Sequence, residues 1–113
     1  MAVRTKQLGG TNNVGTTSAV IYTVPSGETT IIKEVSVYNR HSTTAAILTL
    51  GRGSSAADTN NGTFLRESIG PFEAKRFPMW MVCAAGVPIS AKANNATSLS
   101  VYMSGTELEG VAD

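Results

Sequence analysis

From Ser98 to Ser104 the side chains alternate without a break: Leu99, Val101 and Met103 on one parity, Ser98, Ser100, Tyr102 and Ser104 on the other. Successive side chains of a β-strand point to opposite faces, so this segment reads as a strand with one buried and one wet face. The rest of the chain repeats the theme. Ala19–Val24 is rich in β-branched residues and stops at the turn signal Pro25-Ser26-Gly27. Thr29–Asn39 is the longest candidate, with Ile31, Val35 and Val37 on one face and Ile32, Ser36 and Tyr38 on the other. Lys33 and Glu34 break that pattern, and a bulge or an edge position would accommodate them. Asn39-Arg40-His41-Ser42 reads as a turn, Ala45–Leu50 as a more continuously apolar strand, 51–62 as the longest polar loop and Phe64-Leu65 as a short strand.

After the turn at Gly70-Pro71, Phe72–Val82 reads as a strand pair or one broken strand, with the apolar parity switching at Pro78. Val87, Ile89, Ala91 and Ala93 alternate with Pro88, Ser90 and Lys92, and Asn94-Asn95-Ala96 follows as a hairpin-like turn. Gly105–Asp113 reads as a short acidic tail. Seven to eight short strands at roughly 8–12-residue spacing predict an all-β fold, a jelly-roll-like or immunoglobulin-like antiparallel β-sandwich. No window carries a helical stripe.

A chain of 113 residues fits one domain. Residues 1–17 have few apolar side chains and are expected to form an extended N-terminal arm lying along a neighbouring surface. The sandwich is assigned to 18–109 and a tail to 110–113. Charged residues make up 15%, against about 25% in ordinary domains, and the deficit is filled by 25 Ser and Thr. A surface poor in long charged side chains suits packing into large assemblies, because fewer rotamers are frozen on contact. The net charge of +1, with Lys and Arg scattered singly, argues against nucleic acid as a partner. No apolar run is long enough to cross a membrane, and the first residues lack a signal-type apolar region, so synthesis in the cytoplasm is expected. Asn61-Gly62-Thr63 and Asn95-Ala96-Thr97 match the glycosylation sequon and are read as turn residues.

Chemistry is hard to place. There is no phosphate-binding glycine loop, no H-E-x-x-H and no cluster of metal ligands, so no cofactor or metal is expected. The sole histidine, His41, lies in a polar turn and reads as a solvated turn residue rather than the base of a triad. Glu107 and Glu109 share a parity and read as a solvated acidic end. The lone Cys83 sits in the run Met79-Trp80-Met81-Val82-Cys83 and reads as a buried small hydrophobe. The expectation is therefore a non-enzyme.

Contact with a partner is the remaining option, and two places suit it. Arg4 and Lys6 would point to one side of an extended arm that also carries Leu8; they are either a solubilising tail or an electrostatic clip. Trp80, flanked by Met79 and Met81, is a core anchor in the first reading and an interface hot spot in the second. Tyr22, Tyr38 and Tyr102 could make a sugar-stacking platform, but they fall on three separate strands, which ranks packing first.

Two stretches resemble a known group. Tyr22-Thr23-Val24-Pro25-Ser26-Gly27 followed by a long strand ending at Asn39, and Leu99–Met103 running into Ser104-Gly105-Thr106-Glu107, resemble small tailed-bacteriophage virion proteins. The resemblance covers about 18–109; Pro88 departs from it, standing where an Asp is more usual. It implies a β-sandwich on the phage particle: a capsid decoration or head-associated protein, often a homotrimer, bound to the major capsid protein. The alternative it implies is a tail-associated adaptor or a module binding a host glycan.

Overall fold

A computed structural model describes residues 3–55, 62–95 and 99–109, with side chains from Lys6 onward. The tail 110–113, residues 56–61 of the 51–62 loop, residues 96–98 and the Arg4 side chain lie outside the described residues.

Among the described residues there are eight strands and no helix: β1 (Val3–Thr11), β2 (Ala19–Thr23), β3 (Glu28–Asn39), β4 (Ala46–Arg52), β5 (Thr63–Ile69), β6 (Ala74–Cys83), β7 (Pro88–Ala93) and β8 (Leu99–Glu109). They form two four-stranded antiparallel sheets, ordered β1-β8-β3-β6 and β2-β7-β4-β5. First pairs with last, second with seventh, third with sixth and fourth with fifth. That is one long hairpin rolled up on itself, the jelly-roll-like winding of the two expected.

The core lies between the sheets and follows the alternation. Leu99, Val101 and Met103 face Ile89, Ala91, Ala93, Leu48 and Leu50 across the interlayer, all nearly inaccessible to water. Small alanines opposite large aliphatics let the two layers interdigitate. The irregularity expected near Lys33 is a bulge. The register of β3 against both β6 and β8 slips between Ile32 and Glu34, so Ile32, Val35 and Val37 all reach the core and Lys33 turns outward.

Four expectations change. Residues 3–11 are extended, but they are not an arm on a neighbour. They pair with β8 of their own domain, and Leu8 is buried in the core. The connection that follows is tied down too: Val14 donates to the Leu99 carbonyl and Ala93 donates to the Gly15 carbonyl. The acidic tail begins later than read, because β8 runs on through Gly105 to Glu109. A Cβ at Gly105 would overlap the carbonyl oxygen of Ile31, so the glycine is what allows β3 and β8 to stay paired there. Phe64-Leu65 belongs to a seven-residue strand. Finally, β6 is one unbroken strand whose exposure alternates throughout, with no switch of parity at Pro78.

Asn39 shows how a buried polar residue shapes the turn after β3. Its side-chain amide donates to the carbonyls of Thr44 and Ile69, and its Oδ1 accepts from the His41 backbone. His41 is exposed, and its Nδ1 accepts from the backbone of Thr43 and Thr44, closing the turn. The histidine is a turn residue, as expected.

Candidate interaction face

Sheet β1-β8-β3-β6 turns its second face to solvent, and the register assigns its rows. Ala74, Tyr38 and Ser100 lie side by side; Arg76, Ser36 and Tyr102 form the next row; Pro78, Glu34 and Ser104 the one after; Val82, Ile31 and Thr106 lie nearer the far end. Two features stand out on it.

The first is the β6 edge. β6 pairs only with β3, so its other flank is an open edge among the described residues. Its inward residues Phe77, Met79, Met81 and Cys83 pack on the core. Its outward residues include Trp80, 69% exposed, and Val82, 52% exposed. Trp80 is therefore not the core anchor of the first reading. Its indole lies under the Lys33 ammonium, 5.4 Å from the ring centroid, an arrangement in which the cation meets the negative face of the ring. Pro78 on the same parity carries no N–H, which blunts part of the edge. At the start of the strand, Phe72 holds a left-handed backbone with φ 53° and a side chain 61% exposed. A bulky residue in that conformation is strained.

The second is a cleft of about 180 Å³ whose lining includes Tyr38, Tyr102, Arg76, Ser36 and Ser100. The two tyrosines sit on different strands, yet β3 and β8 are neighbours, so both rings emerge on one face. Tyr22 does not join them. It is buried, and its hydroxyl lies 2.7 Å from Glu107 Oε2 and 2.7 Å from Thr30 Oγ1. A larger hollow of about 240 Å³ near Gly10, Val14 and Ala19 is lined by small and apolar residues together with Thr11 and Asn13, with no charged side chain among them.

The residues singled out from sequence do not form one patch. Lys6 pairs with buried Glu107 at 3.1 Å inside the domain, and Leu8 is core. Both belong to β1, at the opposite edge of the sheet from Trp80. Met79 and Met81 point inward. Of the six, Trp80 has the large apolar side chain that is mostly exposed, and Lys6 is half exposed while paired with Glu107. The missed residues, Arg76 and Val82, share Trp80's parity. The polar parity running from Arg76 through Pro78 was the signal that Trp80 faces out. Glu107 is not a solvated end either. It is 2% exposed and anchors a polar cluster. Cys83 is buried as expected, and burial raises its thiol pKa above the usual range, with the Arg52 charge opposing.

Among the described residues no three His, Cys, Asp or Glu side chains gather as metal ligands, and no helix is long and apolar enough to cross a membrane.

No family model matches the sequence, and no curated protein matches it. Solved structures do resemble the fold. A subunit of Bacillus endospore appendages, which form a family of disulfide-linked pili, aligns with a TM-score of 0.59 at 8% identity over 97% of this chain and 90% of that one. The virus-like particle of Macrobrachium rosenbergii extra small virus, from the giant freshwater prawn, gives 0.49 at 15% identity over 98% and 80%. A pentameric capsid protein from metagenomic phage sequences gives 0.33 at 18% identity over 95% and 62%. The first likeness is one of fold; the lower scores of the other two carry no argument.

Proposed function

We propose that this chain is a structural subunit of a multi-protein particle, and that its role is adhesive rather than catalytic. The observation that carries the reading is the β6 edge. Trp80 and Val82 are held out to solvent on a strand whose second flank is unpaired among the described residues, and the exposed Phe72 lies just before it. Exposed aromatic and aliphatic groups on an open edge cost solubility, and an interface recovers that cost when it buries them. The low charge of the chain and its jelly-roll-like winding agree with this role.

The finer reading follows the sequence resemblance: a head-associated protein of a tailed-bacteriophage virion, seated as a homotrimer on the major capsid protein. A ligand that binds only the assembled shell stabilises it by mass action. Cross-linking through cysteine is not part of this reading, because the single cysteine is fully buried with a raised pKa.

Purified Trp80→Asp and Val82→Asp variants, added to particles of the encoding phage from which the protein has been stripped, test the reading. Occupancy is expected to fall by roughly tenfold or more while the circular dichroism spectrum is unchanged. Full occupancy by both folded variants overturns it, and so does immunogold labelling that finds the protein nowhere on the particle.

A further inference from the structure

We infer that the cleft between Tyr38, Tyr102 and Arg76 is a binding site for a single sugar unit carrying a carboxylate. The inference does not depend on where the chain sits in a particle.

The shape comes from residue size across three strands. Ser36 on β3 is flanked by Arg76 on β6 and Tyr102 on β8. A serine between two long side chains leaves a hollow with Ser36 as its floor. In the adjoining row Tyr38 stands between Ala74 and Ser100, both too small to cover its ring. The two tyrosines remain 40% and 39% exposed. A volume of about 180 Å³ is below that of drug-sized pockets and fits one monosaccharide ring rather than a longer ligand.

The chemistry converges on an acidic sugar. Tyrosine rings offer apolar faces to the C–H side of a pyranose and hydroxyls to its polar rim. Ser36 and Ser100 add hydroxyl oxygens that can accept, their protons being given to Glu34 and to the Asn12 carbonyl. Arg76 is exposed, and among the described residues its guanidinium meets no acceptor. The carboxylate in the adjoining row, Glu34 opposite Pro78, accepts from Ser36 Oγ at 3.3 Å. An unengaged guanidinium fork is matched to a carboxylate in a bidentate pair. The other cations nearby are engaged: Arg40 with Asn12, Asn13 and Ser100, and Lys75 with the Ser68 carbonyl and Glu73. One available positive charge suits a carboxylate better than a phosphate dianion. A peptide would use the open backbone of the β6 edge instead, where main-chain hydrogen bonds are on offer.

One wall is set before any ligand arrives. The Tyr102 hydroxyl donates to Asn12 Oδ1, Ser100 Oγ donates to the Asn12 carbonyl at 3.0 Å, and Arg40 braces the same segment. A ring already fixed by its neighbours loses little entropy on binding.

The test is a titration of the isotope-labelled full chain, followed by amide NMR, with methyl β-glucuronide and with the methyl glycoside of N-acetylneuraminic acid. Methyl β-glucoside is the neutral control, and acetate the bare carboxylate. Saturable millimolar binding of at least one acidic glycoside is expected, with shifts centred on Ser36, Tyr38, Arg76 and Tyr102. Arg76→Gln and Tyr38→Ala should each weaken it by roughly tenfold. Melting curves of both variants check that they fold. The inference is overturned by equal response to the neutral glucoside or to acetate, by shifts centred elsewhere, by undiminished binding in folded Arg76→Gln, or by no saturable shift with either acidic glycoside.

Discussion

The Tyr22 hydroxyl donates a 2.7 Å hydrogen bond to Oε2 of Glu107, joining residues 85 apart in the chain and the two sheets of the sandwich. Thr30 Oγ1 touches the same hydroxyl, and Lys6 closes the cluster from the β1 side. The strands at this end are thus held by polar bonds in a place where packing alone would leave a carboxylate stranded.

The cluster predicts unequal costs for its members. Glu107→Ala removes the acceptor shared by Tyr22 and Lys6 and opens a cavity, and is expected to lower unfolding free energy by about 2–4 kcal/mol. Lys6→Ala should cost less than about 1 kcal/mol, because its ammonium is half exposed and water replaces much of the pair. Urea denaturation of both variants measures the difference; equal costs would mean that the ion pair, not the buried hydrogen bond, holds the end together.

Alkaline pH should loosen the same end. Burial first, then the hydrogen bond and charge of Glu107, push the Tyr22 phenol well above its ordinary value near 10, with Thr30 partly opposing. A group whose folded pKa is raised contributes stability that is complete below its unfolded pKa and is lost as pH climbs toward the folded one. Stability is therefore expected to fall above about pH 10, by at most ~1.4 kcal/mol per pH unit from this group. Tyr22→Phe should flatten that part of the profile, which urea titrations between pH 8 and about 11 would reveal.

Gly105→Ala tests the close approach of β3 and β8. A methyl group there meets the Ile31 carbonyl, so the strands must part. A loss of about 1–3 kcal/mol is expected from overpacking. The thermal midpoint reports it, and an unchanged midpoint would show that the sheet yields at this point without cost.

Removing residues 1–11 should unfold or aggregate the domain rather than trim a tail. The truncation strips β1 from β8, deletes the buried Leu8 and exposes a sheet edge. Far-UV circular dichroism and gel filtration distinguish this from a folded, monodisperse core. The milder Leu8→Ala variant should remain folded but lose about 2–4 kcal/mol.

The candidate site was half legible. Trp80 was singled out from its surroundings, but the run from Met79 to Cys83 is apolar on both parities, so alternation could not assign a face to it. Tyr38 and Tyr102 were seen as separate because they are far apart in the chain; the β3–β8 pairing makes them neighbours. Arg76 drew no notice, since a single arginine in a strand becomes a feature only when its surroundings are known to leave it unengaged.

What the sequence by itself determined is the local pattern. Period-two alternation, β-branched runs and Pro–Gly turns are properties of adjacent residues, and they specified an all-β sandwich, most of its strands and the inward row Leu99, Val101 and Met103. What only the tertiary structure decided is which strand lies beside which. A polar segment such as 3–11 becomes a strand because β8 offers it a ladder of backbone partners, and a backbone ladder leaves no trace in side-chain polarity. The same pairing buries Glu107 against Tyr22, turns Trp80 to solvent and gathers Tyr38, Tyr102 and Arg76 around one serine.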